Sequence, residues 1–291
     1  MYTSVIFIEK ERGAPMAIIS LINRKGGVGK STISINLAAG LAIYESRKAT
    51  HKPVLLIDMD DQLSATISAM GGGLDDQFVP MITAENNFPT ALGNGYGASD
   101  NIISDSLLPR KRSEKVRLFR TNKTRMEGLE AALKTREDPA FQLTYFLESI
   151  KDEYSYIIID NPPSAGIVPM NSLVASTHVL IPIEPDGLSL IGLADILRMI
   201  EGVHKNTNPD LKILGIIPSR FRMIRRQSRD VIEDMERMYG HLLLPYIKDL
   251  AEISAATTAG YDIFSYCPEK SQAYRCFSNL VDAVMGKLGQ A

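Results

Sequence analysis

Two lysines, three glycines and a pair of hydroxyls are packed into one short stretch, Lys25-Gly26-Gly27-Val28-Gly29-Lys30-Ser31-Thr32, close behind the apolar run Ala17 to Ile22. Glycines let the backbone turn tightly and bring N–H groups against an anion without a Cβ in the way. The residues that follow have helical spacing, so the loop ends at a helix N-terminus, where unpaired N–H groups and the positive end of the dipole favour phosphate. Strand, glycine turn and helix in this order predict a phosphate-binding P-loop for a nucleoside triphosphate, bound by Gly26, Gly27, Val28, Gly29, Lys30, Ser31 and Thr32. Lys30 is expected to reach the β- and γ-phosphates and the Ser31 hydroxyl to ligate Mg²⁺. Lys25 would be redundant beside a triphosphate that Lys30 already neutralises. It is expected instead to reach a nucleotide held by a facing copy of the chain.

Carboxylates follow two further apolar runs. Pro53 to Ile57 reads as a buried strand and leads into Asp58-Met59-Asp60-Asp61-Gln62; Tyr154 to Ile159 reads as another and ends in Asp160-Asn161-Pro162-Pro163-Ser164. In an open α/β sheet the functional groups gather at the carboxyl ends of strands, so Asp58, Asp60 and Asp160 are expected beside the metal and γ-phosphate. A β-branched strand ending in aspartate is a Walker B element, and Asp160 is expected to hold the metal through water. The two prolines fix the backbone of the loop that follows.

Positioning these groups takes a parallel sheet. Apolar strands at 17–22, 53–57, 154–160, 178–183 and 211–218 alternate with amphipathic helical stretches, which predicts a doubly wound, mostly parallel α/β fold with helices on both faces. The 291 residues, 45% hydrophobic and 23% charged, suffice for one large domain over residues 16–291. Residues 1–15 read as an N-terminal appendage, too short for a separate helix-turn-helix domain, and 71–109 as an irregular, insertion-like region rich in glycine. Lys115 to Thr121 reads as a half-exposed strand leading into a helix around Met126 to Leu133. No apolar run spans a bilayer and no signal-peptide pattern is present, so the expected location is cytoplasmic. Cys267 and Cys276 lack metal-ligand spacing and are expected as buried or incidental thiols; the four scattered histidines suggest packing or surface roles.

A formal net charge of −2 excludes overall basicity as the means of gripping nucleic acid, so any such contact needs a local patch. Two basic runs qualify. The first, Arg110 to Arg125, is either a solvated face or part of a nucleic-acid surface. The second, Arg220, Arg222, Arg225, Arg226 and Arg229, lies on a loop and a helix start, where the dipole disfavours cations unless phosphates or acidic groups compensate. Sequence-independent binding to the DNA backbone is the expectation for these five; pairing with Glu233, Asp234 or Glu236, or contact with nucleotide across a dimer, is the alternative. Near the end, Tyr274, Phe277, Val281, Val284 and Leu288 form one helical stripe, expected to pack in the core.

The loop K-G-G-x-G-K-S departs from the general P-loop pattern, with Arg24 at the first glycine position. It is the deviant Walker A signature, and the chain resembles the ParA/MinD family of dimerising ATPases, closest to the ParA-type partition ATPases, from about residue 17 to 290. Leu55-Leu56-Ile57-Asp58-Met59-Asp60-Asp61-Gln62 is similar to the family's second signature and Asp160 to Ser164 to its switch II, although Asp61 stands where proline is usual and Leu63-Ser64 replace Gly-Asn. The resemblance implies that Asp60 positions the attacking water, that Asp58 lies in the metal's outer shell, and that the strand end at Pro218 and Arg220 lies beside the adenine. It further implies ATP and Mg²⁺ as cofactors, a homodimer formed with ATP, nonspecific DNA as the surface bound, and slow hydrolysis stimulated by a ParB-like centromere-binding adaptor. The implied function is partition or positioning of a cargo, most often plasmid or chromosome DNA, in a nucleoid-associated protein. The alternatives are positioning of a protein assembly over the nucleoid, or a MinD-like regulator on the membrane. The terminal helix bears only Arg275 and Lys287 as cations, too few for the basic face that membrane binding would need.

Overall fold

Parallel strands buried on both faces should be apolar throughout, and four such segments, 17–21, 54–58, 156–160 and 178–183, form the middle of the sheet. A computed structural model describes residues 16–49, 51–69, 102–103, 116–119, 123–187, 189–221 and 226–289. Among them are seven strands: β1 (Ala17–Leu21), β2 (Val54–Asp58), β3 (Ile102–Ile103), β4 (Val116–Phe119), β5 (Tyr156–Asp160), β6 (His178–Ile183) and β7 (Lys212–Pro218). They lie in the order β3-β4-β2-β5-β1-β6-β7, all parallel except β3, which runs antiparallel to β4 at the edge. The expected doubly wound, mostly parallel sheet is what forms. Residues 1–15 and most of 71–109 lie outside the described residues, but β3 is a short strand inside the stretch expected to be irregular.

Alternation along the strands divides the core. Ala17, Ile19 and Leu21 of β1 and Tyr156 and Ile158 of β5 face α1 (Lys30–Glu45) and α10 (Gln272–Lys287). Ile18, Ile57, Ile157 and Ile159 point the other way, to α3 (Lys123–Lys134) and α4 (Gln142–Glu148), and α5 (Ile167–Ala175) also packs there. Beyond them Val179, Ile181 and Ile183 of β6 meet α6 (Ser189–Asn206) and α7 (Arg226–Tyr239). Three shorter helices, α2 (Ser64–Ala69), α8 (Ala251–Thr258) and α9 (Ile263–Tyr266), complete the fold. The C-terminal stripe is core: Phe277, Val281 and Val284 are buried, with Tyr274 and Leu288 packed against them, and Ser271 caps the helix by accepting from the Tyr274 N–H. Cys267 and Cys276 are buried free thiols.

One irregular segment is placed with unusual care. Residues 243–249 run alongside β7 in parallel: Leu244 N–H donates to Ile216 O at 2.9 Å, Ile247 N–H to Pro218 O at 2.8 Å, and Phe221 N–H to Ile247 O at 3.0 Å. Gly215 makes this approach possible, because a Cβ there would lie 2.5 Å from Leu244 Cδ1 and 2.9 Å from the Leu242 carbonyl oxygen. A side chain cannot move a backbone carbonyl aside cheaply, and overpacking of this kind costs about 1–3 kcal/mol. Gly215→Ala should therefore destabilise the protein by that order, as a lowered urea midpoint with an unchanged slope.

Candidate functional site

The glycine loop connects β1 to α1, and its backbone requires glycine at two positions: φ is +76° at Gly27 and +85° at Gly29. Three contacts from outside the loop hold it. Asn23 Nδ2 donates to Pro182 O at 2.6 Å while its Oδ1 accepts from the Lys25 N–H at 2.8 Å. Ser219, just past β7, donates its hydroxyl to Val28 O at 2.6 Å, and Arg220 Nη1 donates to Gly27 O at 2.9 Å. Arg220 reaches the loop from a left-handed backbone, φ +51°, a conformation rare outside glycine.

A cleft of about 630 Å³ opens in front of the loop, lined by Gly26, Gly27, Gly29, Lys30, Ser31 and Thr32, by Asp60 and Gln62 after β2, and by Pro163 after β5. Lys30 is only 6% exposed, and burial lowers its pKa against the pull of Asp160 and Asp60. Below the cleft, Asp58 and Asp160 are register partners on adjacent strands, both fully buried. Burial pushes both carboxyls upward, and for Asp160 the neighbouring Asp58 pushes further. Asp58 is held by Thr66, whose N–H and hydroxyl both donate to its Oδ2 at 2.8 Å, and by the Asp60 N–H at 3.1 Å to Oδ1. Asp160 Oδ1 accepts from Ser34 at 3.1 Å and the carboxyl lies near Ser31, yet its Oδ2 is buried with no hydrogen-bond partner. An orphaned carboxylate oxygen in the interior is costly. The carboxyl that carries it lies near Ser31, so the donor set of hard oxygens suits a hydrated magnesium ion.

The structure brings together the loop, Lys30, Ser31, Asp58, Asp60 and Asp160, as the sequence led us to expect. It moves others. Lys25 points away from its own cleft: Nζ lies 2.5 Å from Asp186 Oδ2 and 3.4 Å from Glu184 Oε2, and the Asp186 hydrogen bond raises its pKa. Pro218 is buried at the end of β7 and lines no part of the cleft; the strand turns one residue later, so Ser219 and Arg220 take that place. Arg220 is directed at the P-loop, apart from any role on DNA. Arg222 and Arg225 lie outside the described residues, as do the side chains of Arg226 and Arg229, whose backbone starts α7. The whole far wall, Ile247 to Leu250 with Ile253, Ser254, Thr257 and Thr258 of α8, was missed. It carries no motif and reaches the cleft only through the Gly215 approach.

A family profile described as an AAA domain matches residues 16–213. The chain is 36% identical over 222 residues to the chromosome partitioning protein ParA of Myxococcus xanthus, covering 75% of this chain and 70% of that one. It is 30% identical over 257 residues to the sporulation initiation inhibitor protein Soj of Bacillus subtilis, covering 88% and 93%. A crystal structure described as cobyrinic acid a,c-diamide synthase from Mycobacterium smegmatis, with bound ATP analog and magnesium, superposes with a TM-score of 0.67 at 28% identity over 84% of this chain and 91% of that one. The chain belongs to the ParA/Soj family of P-loop ATPases.

Thr66 is 1% exposed and spends both its donors on Asp58, so Thr66→Val keeps the shape and removes one bond to a buried carboxyl. The variant should lose about 1–2 kcal/mol of stability by urea unfolding.

Proposed function

We propose that this member of the ParA/Soj family is an ATP-driven switch that positions or partitions a cargo. ATP joins two chains face to face, the dimer binds DNA without regard to sequence, and hydrolysis, stimulated by an adaptor protein on the cargo, releases it. The observation that carries the nucleotide part is the orphaned Oδ2 of Asp160, a buried carboxyl that interacts with Ser31 and with Lys30 of the cleft wall. Supporting it are the family membership and the ATP analog with magnesium in the Mycobacterium smegmatis relative.

The chain's own groups divide the work. Backbone N–H groups of the glycine loop and the start of α1 face the phosphates, with Lys30 at the β- and γ-phosphates. Ser31 and Asp160, with Asp58 behind, would hold Mg²⁺, which would supply positive charge toward the phosphate oxygens. Asp60 lies on the cleft wall, where it orients the attacking water. Lys25 completes the site of the facing chain. To do so it leaves Asp186 and Glu184, and since its side chain is 53% exposed the exchange is cheap, about 0–1 kcal/mol for a solvated pair. The nucleotide thereby biases a two-state arrangement, as a switch requires. DNA contact falls to Arg222, Arg225, Arg226 and Arg229, with Arg220 divided between the loop and the DNA edge.

Lys30→Ala should abolish ATP binding. Asp60→Ala should bind ATP and accumulate as dimer in size-exclusion chromatography, with phosphate release slowed at least about 10²-fold; release at the parental rate would remove Asp60 from its role.

The decisive experiment is binding to a random-sequence duplex with ADP and with ATP across a salt series. Binding only with ATP, weakening as salt rises through counterion release, is expected. Replacing Arg222, Arg225 and Arg226 with glutamate should remove this binding and leave ATP-dependent dimerisation intact. No binding under either nucleotide would overturn the DNA reading and turn attention to vesicles.

A further inference from the structure

We infer that a second basic surface, a groove formed by Tyr246, Lys248, Lys270 and Arg275, grips the phosphate backbone of DNA; the inference rests on the DNA reading above. The groove is a concavity of about 350 Å³ on the outside of the 243–249 segment, where it meets the start of α10. Its lining holds three cations and two amides, Gln272 and Asn279, and no carboxylate, in a chain whose net charge is −2.

Several exposed cations of the described helices are neutralised locally. Lys134, Arg198, Lys205 and Arg237 are each paired with an acid three or four residues earlier on the same helix. Among the described residues no ion pair joins Lys248, Lys270 or Arg275 to a carboxylate, and Lys270 and Arg275 stand exposed. Three like charges lining one groove with no carboxylate among its lining residues raise the energy of the free protein and are relieved by an anion. Arg275 belongs to the first turns of α10, which has no acid in its first turn, so the helix dipole adds to the same positive field.

The aromatic ring makes the surface fit a nucleic acid. Tyr246 is 39% exposed, is held edge-on by Phe221 at a centroid distance of 5.0 Å, and has Lys248 Nζ 6.0 Å from its ring centre. An exposed ring framed by cations offers sugar and base contact next to phosphate contact.

The same segment forms the wall between the two sites. Lys248 lines both the nucleotide cleft and this groove, and the Asp249 N–H donates at 3.1 Å to the O of Phe221, which stands between Arg220 and Arg222 of the arginine run. Residues 245–250 thus touch the nucleotide cleft on one side and a DNA surface on the other.

The test is the Lys270→Gln/Arg275→Gln double variant, which touches neither the nucleotide cleft nor the arginine run. In the ATP state it should bind a random duplex more weakly at every salt concentration, with the slope of log affinity against log salt reduced by about two, while ATP binding and dimerisation match the parent. Lys270→Arg, which keeps the charge, should bind as the parent does. If the parent binds DNA and the double variant binds with the same affinity and slope, the groove is not a DNA site, and loss of response to an acidic protein partner alone would say the same. If the parent itself binds no DNA, the failure lies with the DNA reading, and this inference falls with it.

Discussion

Two carboxylates buried side by side at the ends of adjacent strands are the feature on which the site depends. Asp58 and Asp160 are register partners, and neither reaches solvent. Charge in the interior is disfavoured by burial, and more so beside a like charge, which is why both carboxyls titrate above their usual range. Donors offset part of this: Thr66 and the Asp60 N–H serve Asp58, and Ser34 serves Asp160. The oxygen left over, Asp160 Oδ2, marks where a cation belongs. A site with its donors complete and its charges balanced would have little reason to recruit one.

That pair is placed by topology. β1 lies between β5 and β6, and β2 lies outside β5, so the loop after β1 and the carboxylates after β2 and β5 emerge at the same edge of the sheet. Ligands of doubly wound sheets bind where connections diverge at the carboxyl ends of the strands. The loop would be loose without support from strands far off in sequence. Pro182 and Ser219 supply it from β6 and the end of β7, fixing the backbone that faces the phosphates.

How much of this could be read from the sequence follows from where each residue gets its neighbours. The loop, Asp58, Asp60 and Asp160 were legible because each directly follows a buried β-branched strand, a local pattern that also states which end of the sheet the residue occupies. Ser219 was missed by one position, since the end of β7 carries no signal finer than a residue or two. The far wall from Ile247 to Thr258 was illegible for a stronger reason: it lacks motif and periodicity, and its approach depends on the missing side chain of Gly215 against Leu242 and Leu244. The same holds for the groove, whose cations at 248, 270 and 275 converge only in three dimensions. The two basic runs, by contrast, are conspicuous in sequence and lie largely outside the described residues.

Lys25 and Lys30 show how one loop holds one residue type in two environments. Lys30 is buried, its charge held down by desolvation and up by Asp60 and Asp160, so it has nowhere else to go. Lys25 sits half in solvent on Asp186 and Glu184, more than a hundred and fifty residues away in sequence, and its charge is reinforced by them. A contact of that kind is weak because water screens it, and in the dimer proposed above it would be exchanged for a more highly charged phosphate of the other chain. A buried tie would lock the lysine, and no tie would leave its long side chain to be ordered at the moment of assembly. The exposed carboxylates hold Lys25 at the surface, at a strength that the nucleotide of the proposed dimer would overcome.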